Sequence, residues 1–145
     1  MEDGILKNIL RDAKTIAIVG LSDKPDRPSY VVAAYLEEAG YEVVPINPMI
    51  TRWKDKMSYA SLSALPSEVM IDIVDIFRKN EDVPAIVRDA VSLSDLPKII
   101  WLQEGVESDD AGKIVENAAM QKGKPVFFVQ NKCLKKEHIR ISSQS

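Results

Sequence analysis

A segment near the start of the sequence has the composition of an anion-binding loop. Gly20 ends an apolar run, and the residues after it include Ser22, Lys24, Arg27 and Ser29 together with two prolines. A glycine lets the backbone turn tightly, and the free amides of a following helix attract anions. The prolines lower the flexibility of the loop, so that holding a ligand costs less ordering entropy. The segment therefore predicts a site for a ligand that carries phosphate.

The spacing of residues in this loop differs from that of the common nucleotide motifs. The second and third glycines of G-x-G-x-x-G do not follow Gly20, and the P-loop pattern G-x-x-x-x-G-K-[ST] is absent from the sequence. NAD-binding folds usually end their second strand on Asp or Glu, whereas this region reads Ile46-Asn47-Pro48. An amide there can bind a ribose without repelling a phosphate attached to it. These features argue against NAD and leave a phosphorylated ribose, including that of NADP, open.

Cys133 and His138, the only cysteine and the only histidine, could in principle form a nucleophile and its base. No third orienting group and no oxyanion motif accompany them, so a structural or incidental role is favoured over catalysis. One cysteine allows neither an intrachain disulfide nor a cysteine zinc cluster, which fits a reducing, cytoplasmic setting.

The acidic residues show no catalytic grouping. A phosphoacceptor domain needs acids at the ends of its first and third strands, but Asp72 and Asp75 precede the end of the third predicted strand. We expect both to face solvent or to cap neighbouring loops. Asp109 and Asp110 follow Ser108, a typical helix cap, and are expected to stabilise the positive end of a helix.

Hydrophobic periodicity divides the chain into alternating strands and helices. Helical spacing predicts a helix before the first strand and helices in the connections, with a short helix in the less regular region 49–67 and one further turn in the polar tail. Five apolar runs predict the strands, which are Thr15–Val19, Tyr41–Ile46, Val69–Ile76, Lys98–Leu102 and Pro125–Val129.

This alternation predicts an α/β fold with a Rossmann-like, doubly wound, five-stranded parallel sheet covered by helices on both faces. We expect one domain over residues 1–145. Such sheets bind ligands beyond the carboxyl ends of their strands, where strand order reverses. The predicted functional surface is Gly20–Ser29, Asn47–Pro48, Phe77–Arg78 and Gln103–Glu104.

Composition excludes several classes of protein. A hydrophobic content of 46% is enough for a buried core, and a net charge of −3 argues against a general nucleic-acid binder. No apolar stretch reaches the ~18 residues that a membrane span requires, and the N-terminal residues do not predict a signal peptide. A homodimer or a protein partner is compatible with the sequence, although no feature demands either.

Six short segments occur in an order that resembles a known family. They are VGLSDKPDRPSY, VVPINP, IVDIFR, DVPAIV, WLQEGV and NKCLKKEH, and together they extend over Thr15–His138. In this order they are similar to stand-alone CoA-binding proteins, and to the N-terminal CoA-binding domain of the succinyl-CoA synthetase alpha subunit and of ADP-forming acyl-CoA synthetases. The resemblance implies a Rossmann-like domain with CoA across the carboxyl ends of the sheet, phosphate at the Gly20 loop, and the segments after strands two and three around the nucleotide.

The resemblance also implies which residues contact the ligand. The diphosphate and 3′-phosphate of CoA carry on the order of three to four negative charges, for which Lys24, Arg27 and Arg78 are the expected partners. Phe77 or Pro48 is expected to pack on adenine, and Val83 to form an apolar wall. The full predicted set is Gly20, Leu21, Ser22, Lys24, Arg27, Ser29, Tyr30, Asn47, Pro48, Phe77, Arg78 and Val83.

The basic tail is expected to be a solvated face, with a docking or CoA-phosphate role as the less favoured alternative. Its cationic residues are Lys132, Lys135, Lys136 and Arg140.

The expected function is binding of CoA or acyl-CoA without a catalytic centre, as a sensor or as a carrier that presents CoA to a partner. The resemblance covers the CoA-binding domain and not the synthetase domain that carries a phosphorylated histidine. Two alternatives stay open, namely a small NADP-linked or acyl-CoA enzyme that uses Cys133 and an interaction module that binds no ligand.

Overall fold

A central sheet of five parallel strands organises the chain. The computed structural model describes residues 1–144. The strands are β1 (Thr15–Val19), β2 (Glu42–Ile46), β5 (Ile73–Ile76), β6 (Ile99–Leu102) and β7 (Phe127–Val129), in the order β2-β1-β5-β6-β7. A small antiparallel hairpin, β3 (Arg52–Trp53) with β4 (Lys56–Met57), lies beside β2. The predicted α/β fold and five-stranded parallel sheet are confirmed.

Within residues 1–144, five α-helices cover the sheet, and two short 3-10 turns, Leu62–Ala64 and Asn80–Asp82, lie in the connections. The helix α4 (Asp109–Lys122) shows the predicted cap, since the Ser108 hydroxyl accepts a hydrogen bond from the Ala111 amide at 3.2 Å. It ends at Gly123, which has a φ of 64°. The helices are α1 (Asp3–Asp12), α2 (Pro28–Glu38), α3 (Val83–Val91), α4 (Asp109–Lys122) and α5 (Leu134–Ser142).

The sheet has a hydrophobic core on each face. Ile16 and Ile18 of β1 pack on the side of α1, α2 and α5, whereas Ala17 and Val19 pack on the side of α3 and α4. Successive strand residues point to opposite faces. A strand buried on both faces therefore needs a continuous apolar run, and this explains why the strands could be recognised in the sequence.

The structure departs from the predicted elements in three places. The third predicted strand, Val69–Ile76, is shorter, since β5 begins at Ile73. The region 49–67 forms the β3–β4 hairpin and a 3-10 turn rather than one short helix. The tail forms a nine-residue helix rather than a single turn. Leu134 and Ile141 are buried against the core on the α1–α2 face, and this burial stabilises a helix that is otherwise polar.

The order of the strands fixes where a crevice can open. From β1 the chain passes through α2 to β2 on one side, while β5 lies on the other side of β1 and continues into α3 on the opposite face. The connections that follow β1 and β5 therefore diverge at the carboxyl end of the sheet. This topological switch point is the place where open α/β sheets bind ligands.

The two acidic residues of the third predicted strand behave differently. The Asp72 carboxylate accepts hydrogen bonds from the amides of Lys14 and Thr15 at 2.8 and 3.0 Å, so it caps a neighbouring loop as expected. Asp75 is fully buried between Ile18 and Trp101 of the adjacent strands. Neither of its oxygens has a hydrogen-bond partner within residues 1–144. The prediction that Asp75 faces solvent or caps a loop is wrong.

No helix of the described chain is both long and apolar enough to cross a membrane.

Candidate functional site

A cleft of about 960 Å³ opens at the carboxyl end of the sheet, at the switch point between β1 and β5. We call it the main cleft. Four segments of the chain line it, namely the start of α2, the residues after β5, the residues after β6 and the start of α5. Their lining residues are, in that order, Asp26, Pro28, Val31 and Val32; Phe77, Arg78 and Lys79; Gln103, Glu104 and Val106; and Cys133, Lys135 and Lys136.

Gly20 allows the β1–α2 loop to pass close to the residues after β5. Its φ is +87°, a conformation that residues with a side chain rarely adopt. A Cβ at this position would overlap the carbonyl oxygen of Phe77 and touch the side chain of Arg78. Since Phe77 and Arg78 line the main cleft, the absence of a side chain at Gly20 helps to shape that wall.

The β1–α2 loop is held by its own hydrogen bonds. The Ser29 hydroxyl accepts from the Ser22 amide at 2.9 Å, and the Ser22 hydroxyl accepts from the Lys24 amide at 3.1 Å. The Asn47 side chain donates to the Leu21 carbonyl at 3.0 Å. The loop is therefore preorganised, but the amides of Ser22 and Lys24 are already engaged and cannot cradle a phosphate.

The first turn of α2 offers backbone donors to an anion instead. In this helix the Val31 amide is the first to bond within the turn, to the Arg27 carbonyl at 3.1 Å. The preceding amides of Ser29 and Tyr30 have no acceptor one turn back, as at any helix start. Because Pro28 and Val31 line the main cleft, this positive helix end lies at its edge.

Three basic side chains of the main cleft already have partners inside the protein. Arg78 pairs with Asp82 at 3.0 Å, and Lys136 pairs with Glu104 at 3.0 Å. The hydrogen bond with Glu104 is the main reason that the pKa of Lys136 is raised. The ammonium of Lys135 lies 5.5 Å from the ring centre of Tyr35. Exposed ion pairs contribute little free energy, so a phosphate could replace the carboxylate partners at small cost.

The structure brings some predicted contact residues to the main cleft. Phe77 and Arg78 line it, as do Gln103 and Glu104 of the predicted functional surface. Ser22, Lys24 and Arg27 lie in the adjoining loop, where Lys24 and Arg27 are exposed and do not line the main cleft.

Other predicted contact residues lie elsewhere. Leu21 and Val83 are fully buried. Val83, at the start of α3, packs in the core on the α3–α4 face and does not line the main cleft, so it does not form the expected apolar wall. Tyr30 packs edge-on against Trp53 with ring centres 5.5 Å apart. Asn47 and Pro48 line a separate depression beside the β3–β4 hairpin.

Sequence reasoning missed the contribution of the tail. Lys135 and Lys136, which were expected on a solvated face, both line the main cleft together with Cys133, and Lys136 is exposed there. A signal was present, since Leu134, His138 and Ile141 recur at helical spacing. Such a pattern predicts a packed amphipathic helix and hence a defined position for the residues at its start.

His138 lies on the inner side of α5. Its Nδ1 is 2.7 Å from the Tyr35 hydroxyl, and its ring packs edge-on against Tyr35 and Tyr41. Burial lowers the pKa of the imidazole. These contacts favour a structural role, in which the imidazole helps hold α5 against α2. Within residues 1–144, no cluster of three or more His, Cys, Asp or Glu side chains could hold a metal ion.

Comparison with known proteins agrees with this architecture. Residues 14–139 match the family model described as a CoA binding domain. The uncharacterized protein YneT of Bacillus subtilis is 35% identical over 133 residues, covering 92% of this chain and 91% of that protein.

Two solved structures are similar over nearly the whole chain. One is the structure of cell-free ID.343 from Thermus thermophilus, at 34% identity and a TM-score of 0.84, covering 97% of this chain and 99% of that one. The other is a hypothetical protein from Pyrococcus horikoshii OT3, at 31% identity and a TM-score of 0.87, covering 99% and 94%. The match of the family model over most of the chain, together with these relatives, shows that the protein belongs to the CoA binding domain family.

Proposed function

We propose that this protein binds coenzyme A, free or acylated, in the main cleft, and that it has no catalytic centre of its own. The observation that carries the proposal is the position of the main cleft at the switch point of the sheet, between a helix start and basic side chains from separate segments. Membership of the CoA binding domain family supports the same ligand.

The composition of the main cleft suits the chemistry of CoA. Phosphates would lie near the first turn of α2 and the cations Arg78, Lys79 and Lys136, because these groups supply donors and positive charge. Val31, Val32 and Phe77 supply apolar surface for the uncharged parts of the ligand.

The role we assign is that of a CoA sensor, or of a carrier that presents CoA to a partner protein. Its rationale is geometric, because the residues at the outer edge, such as Glu104 and Lys136, are exposed. A bound ligand would remain within reach of a second protein at this edge.

Calorimetric titration with CoA, NADP and NAD tests the choice of ligand. We expect CoA to bind more tightly than either dinucleotide. Tighter binding of NADP would support the dinucleotide enzyme instead, and no binding of any of the three would support an interaction module without a ligand.

Two arginine variants test the placement of the phosphates. Arg78→Ala should weaken CoA binding about tenfold. This loss is near the lower end of that expected when a charge-assisted hydrogen bond is removed, because the Arg78 side chain is partly exposed. Arg27→Ala should have a smaller effect, since Arg27 is exposed and lies beside the main cleft. The thermal midpoint without ligand should hardly change in either variant.

Arg88→Ala is the matched control, because Arg88 is an exposed arginine of α3 that does not line the main cleft. Equal losses of CoA affinity in the Arg78 and Arg88 variants would contradict the proposed site.

A further inference from the structure

Gln103 presents a buried amide to the main cleft. The residue is only 5% exposed, and its Oε1 accepts a hydrogen bond from the Leu134 amide at 3.2 Å. Its Nε2 has no hydrogen-bond partner among the residues that the structure describes. This donor is not one of the buried polar atoms without a partner, so it is open to the space of the main cleft and available to an acceptor on a ligand.

Cys133 lies next to this amide in the fold. It is a free, half-buried cysteine that lines the same cleft and immediately precedes α5. The hydrogen bond between Gln103 and the following residue, Leu134, ties the cysteine segment to the end of β6. The main cleft therefore has a hydrogen-bond donor and a thiol on neighbouring segments. Both segments come much later in the chain than the β1–α2 loop.

The chemistry of CoA matches this pair, on the condition that the proposed function holds. Its pantetheine arm carries two amide carbonyl groups and ends in a thiol. We propose that Gln103 Nε2 donates to an amide carbonyl of this arm and that Cys133 forms a mixed disulfide with CoA by exchange with CoA disulfide. The main cleft is then a site of reversible covalent modification by the oxidised form of its own ligand.

The exchange needs no further reactant. The Cys133 thiolate attacks one sulfur of CoA disulfide, a new bond forms between Sγ and that sulfur, and the original S–S bond breaks. The departing CoA sulfur takes up the proton that Cys133 released. Cys133 is oxidised to the mixed disulfide, and one equivalent of CoA disulfide is reduced to CoA thiol and protein-bound CoA.

Intact-mass spectrometry of the full chain incubated with CoA disulfide tests the proposal. We expect a mass increase of one CoA less two hydrogens, reversal by dithiothreitol, and no adduct on Cys133→Ser. Because binding positions the disulfide, the reaction should be roughly tenfold or more faster with CoA disulfide than with glutathione disulfide. Desulfo-CoA, which can occupy the main cleft but cannot react, should slow it.

Gln103→Glu separates the two parts of the inference. The carboxyl group keeps an acceptor for the Leu134 amide but removes the Nε2 donor, so exchange with CoA disulfide should slow more than exchange with glutathione disulfide. The thermal midpoint is measured beside it and should fall somewhat, because burial disfavours a charged carboxylate. An unchanged rate in this variant would overturn the role of Gln103.

Calorimetry of Cys133→Ser with desulfo-CoA tests the proposed function alone. Desulfo-CoA binding without any adduct on the natural chain would overturn the covalent step and leave the proposed function standing. Equal rates with CoA disulfide and glutathione disulfide would show a generally reactive thiol and would also overturn the proposal. Absence of both desulfo-CoA binding and the adduct would overturn the proposed function as well.

Discussion

At the scale of single residues, Gly20 couples the fold to the main cleft. Its positive φ and the closeness of the Phe77 carbonyl leave no room for a side chain. The same backbone contact positions Phe77 and Arg78, which are the residues of the predicted set that line the main cleft. A substitution here should therefore affect both stability and ligand binding.

Gly20→Ala should lower the free energy of unfolding by more than the ~1–3 kcal/mol expected for backbone strain alone. The reason is that the new methyl group would also displace the Phe77 carbonyl. Urea denaturation would measure this change, and CoA affinity should fall as well. Gly40→Ala is the matched control, because Gly40 has a φ of +108° with open space around its missing Cβ. If both variants lost equal stability and kept CoA affinity, the contact with Phe77 would be unimportant.

Asp75 is the second residue with a specific energetic consequence. Its carboxyl group is fully buried without a hydrogen-bond partner in the described part of the chain, and burial raises its pKa well above the ordinary value. The folded state therefore favours the protonated acid, whereas the unfolded state ionises near 3.8. The free energy of unfolding therefore falls as the pH rises above the pKa of the unfolded state. It stops falling once the pH exceeds the raised pKa of the folded state.

Asp75→Asn should remove this dependence on pH. We expect the free energy of unfolding of the variant, relative to that of the natural chain, to rise by up to about 1.4 kcal/mol per pH unit above about pH 4. Denaturant unfolding at a series of pH values measures the difference. A difference that stayed constant with pH would mean that Asp75 does not titrate differently in the two states.

At the scale of elements, α5 connects the core to the main cleft. Leu134 and Ile141 are buried on the α1–α2 face, and His138 contacts Tyr35 of α2. The start of the same helix brings Cys133, Lys135 and Lys136 to the main cleft. The packing of the inner side of α5 on the core therefore fixes the position of the residues at the start of the helix, which are candidate ligand contacts.

The stability of α5 against α2 should depend on the charge of His138. Burial lowers the pKa of His138 below its ordinary value of 6.5, so the folded state favours the neutral imidazole. Stability should be complete above pH 6.5 and decline as the pH falls from there towards the lowered pKa of the folded state. His138→Gln, which keeps an acceptor for the Tyr35 hydroxyl, should lose this decline. Thermal midpoints between pH 8 and 5 compare the two proteins, and parallel curves would contradict the expectation.

At the scale of the whole molecule, net charge and local charge oppose each other. The chain carries −3 overall, which repels an anionic ligand at long range. The main cleft nevertheless brings together Arg78, Lys79, Lys135 and Lys136 from separate parts of the chain. Binding of CoA should therefore depend on these close contacts rather than on the field of the whole protein.

This balance predicts that CoA binds more tightly than dephospho-CoA. The additional 3′-phosphate should gain about tenfold in affinity through a charge-assisted contact with the basic side chains, and added salt should reduce the gain. Calorimetric titrations with both ligands at low and high salt measure it. Equal affinities at low salt would show that the 3′-phosphate has no cationic partner.

The strands, their parallel arrangement and the edge of the sheet at which the main cleft opens followed from the sequence alone. Buried parallel strands require apolar runs, and Gly20 and the Asn47–Pro48 pair mark where the first two strands end. Local patterns of this kind depend on neighbours in sequence, so one chain is enough to recognise them. The sequence also placed four residues, Phe77, Arg78, Gln103 and Glu104, at the edge where the main cleft opens, for the same reason.

Tertiary structure alone decided which side chains share the main cleft. The spacing of a strand does not reveal that Asp75 lies unpaired between Ile18 and Trp101. Nor does a polar tail show that α5 returns across the sheet and places Cys133 beside Gln103. These placements depend on contacts between residues far apart in sequence, whose free energy appears only when the whole core packs.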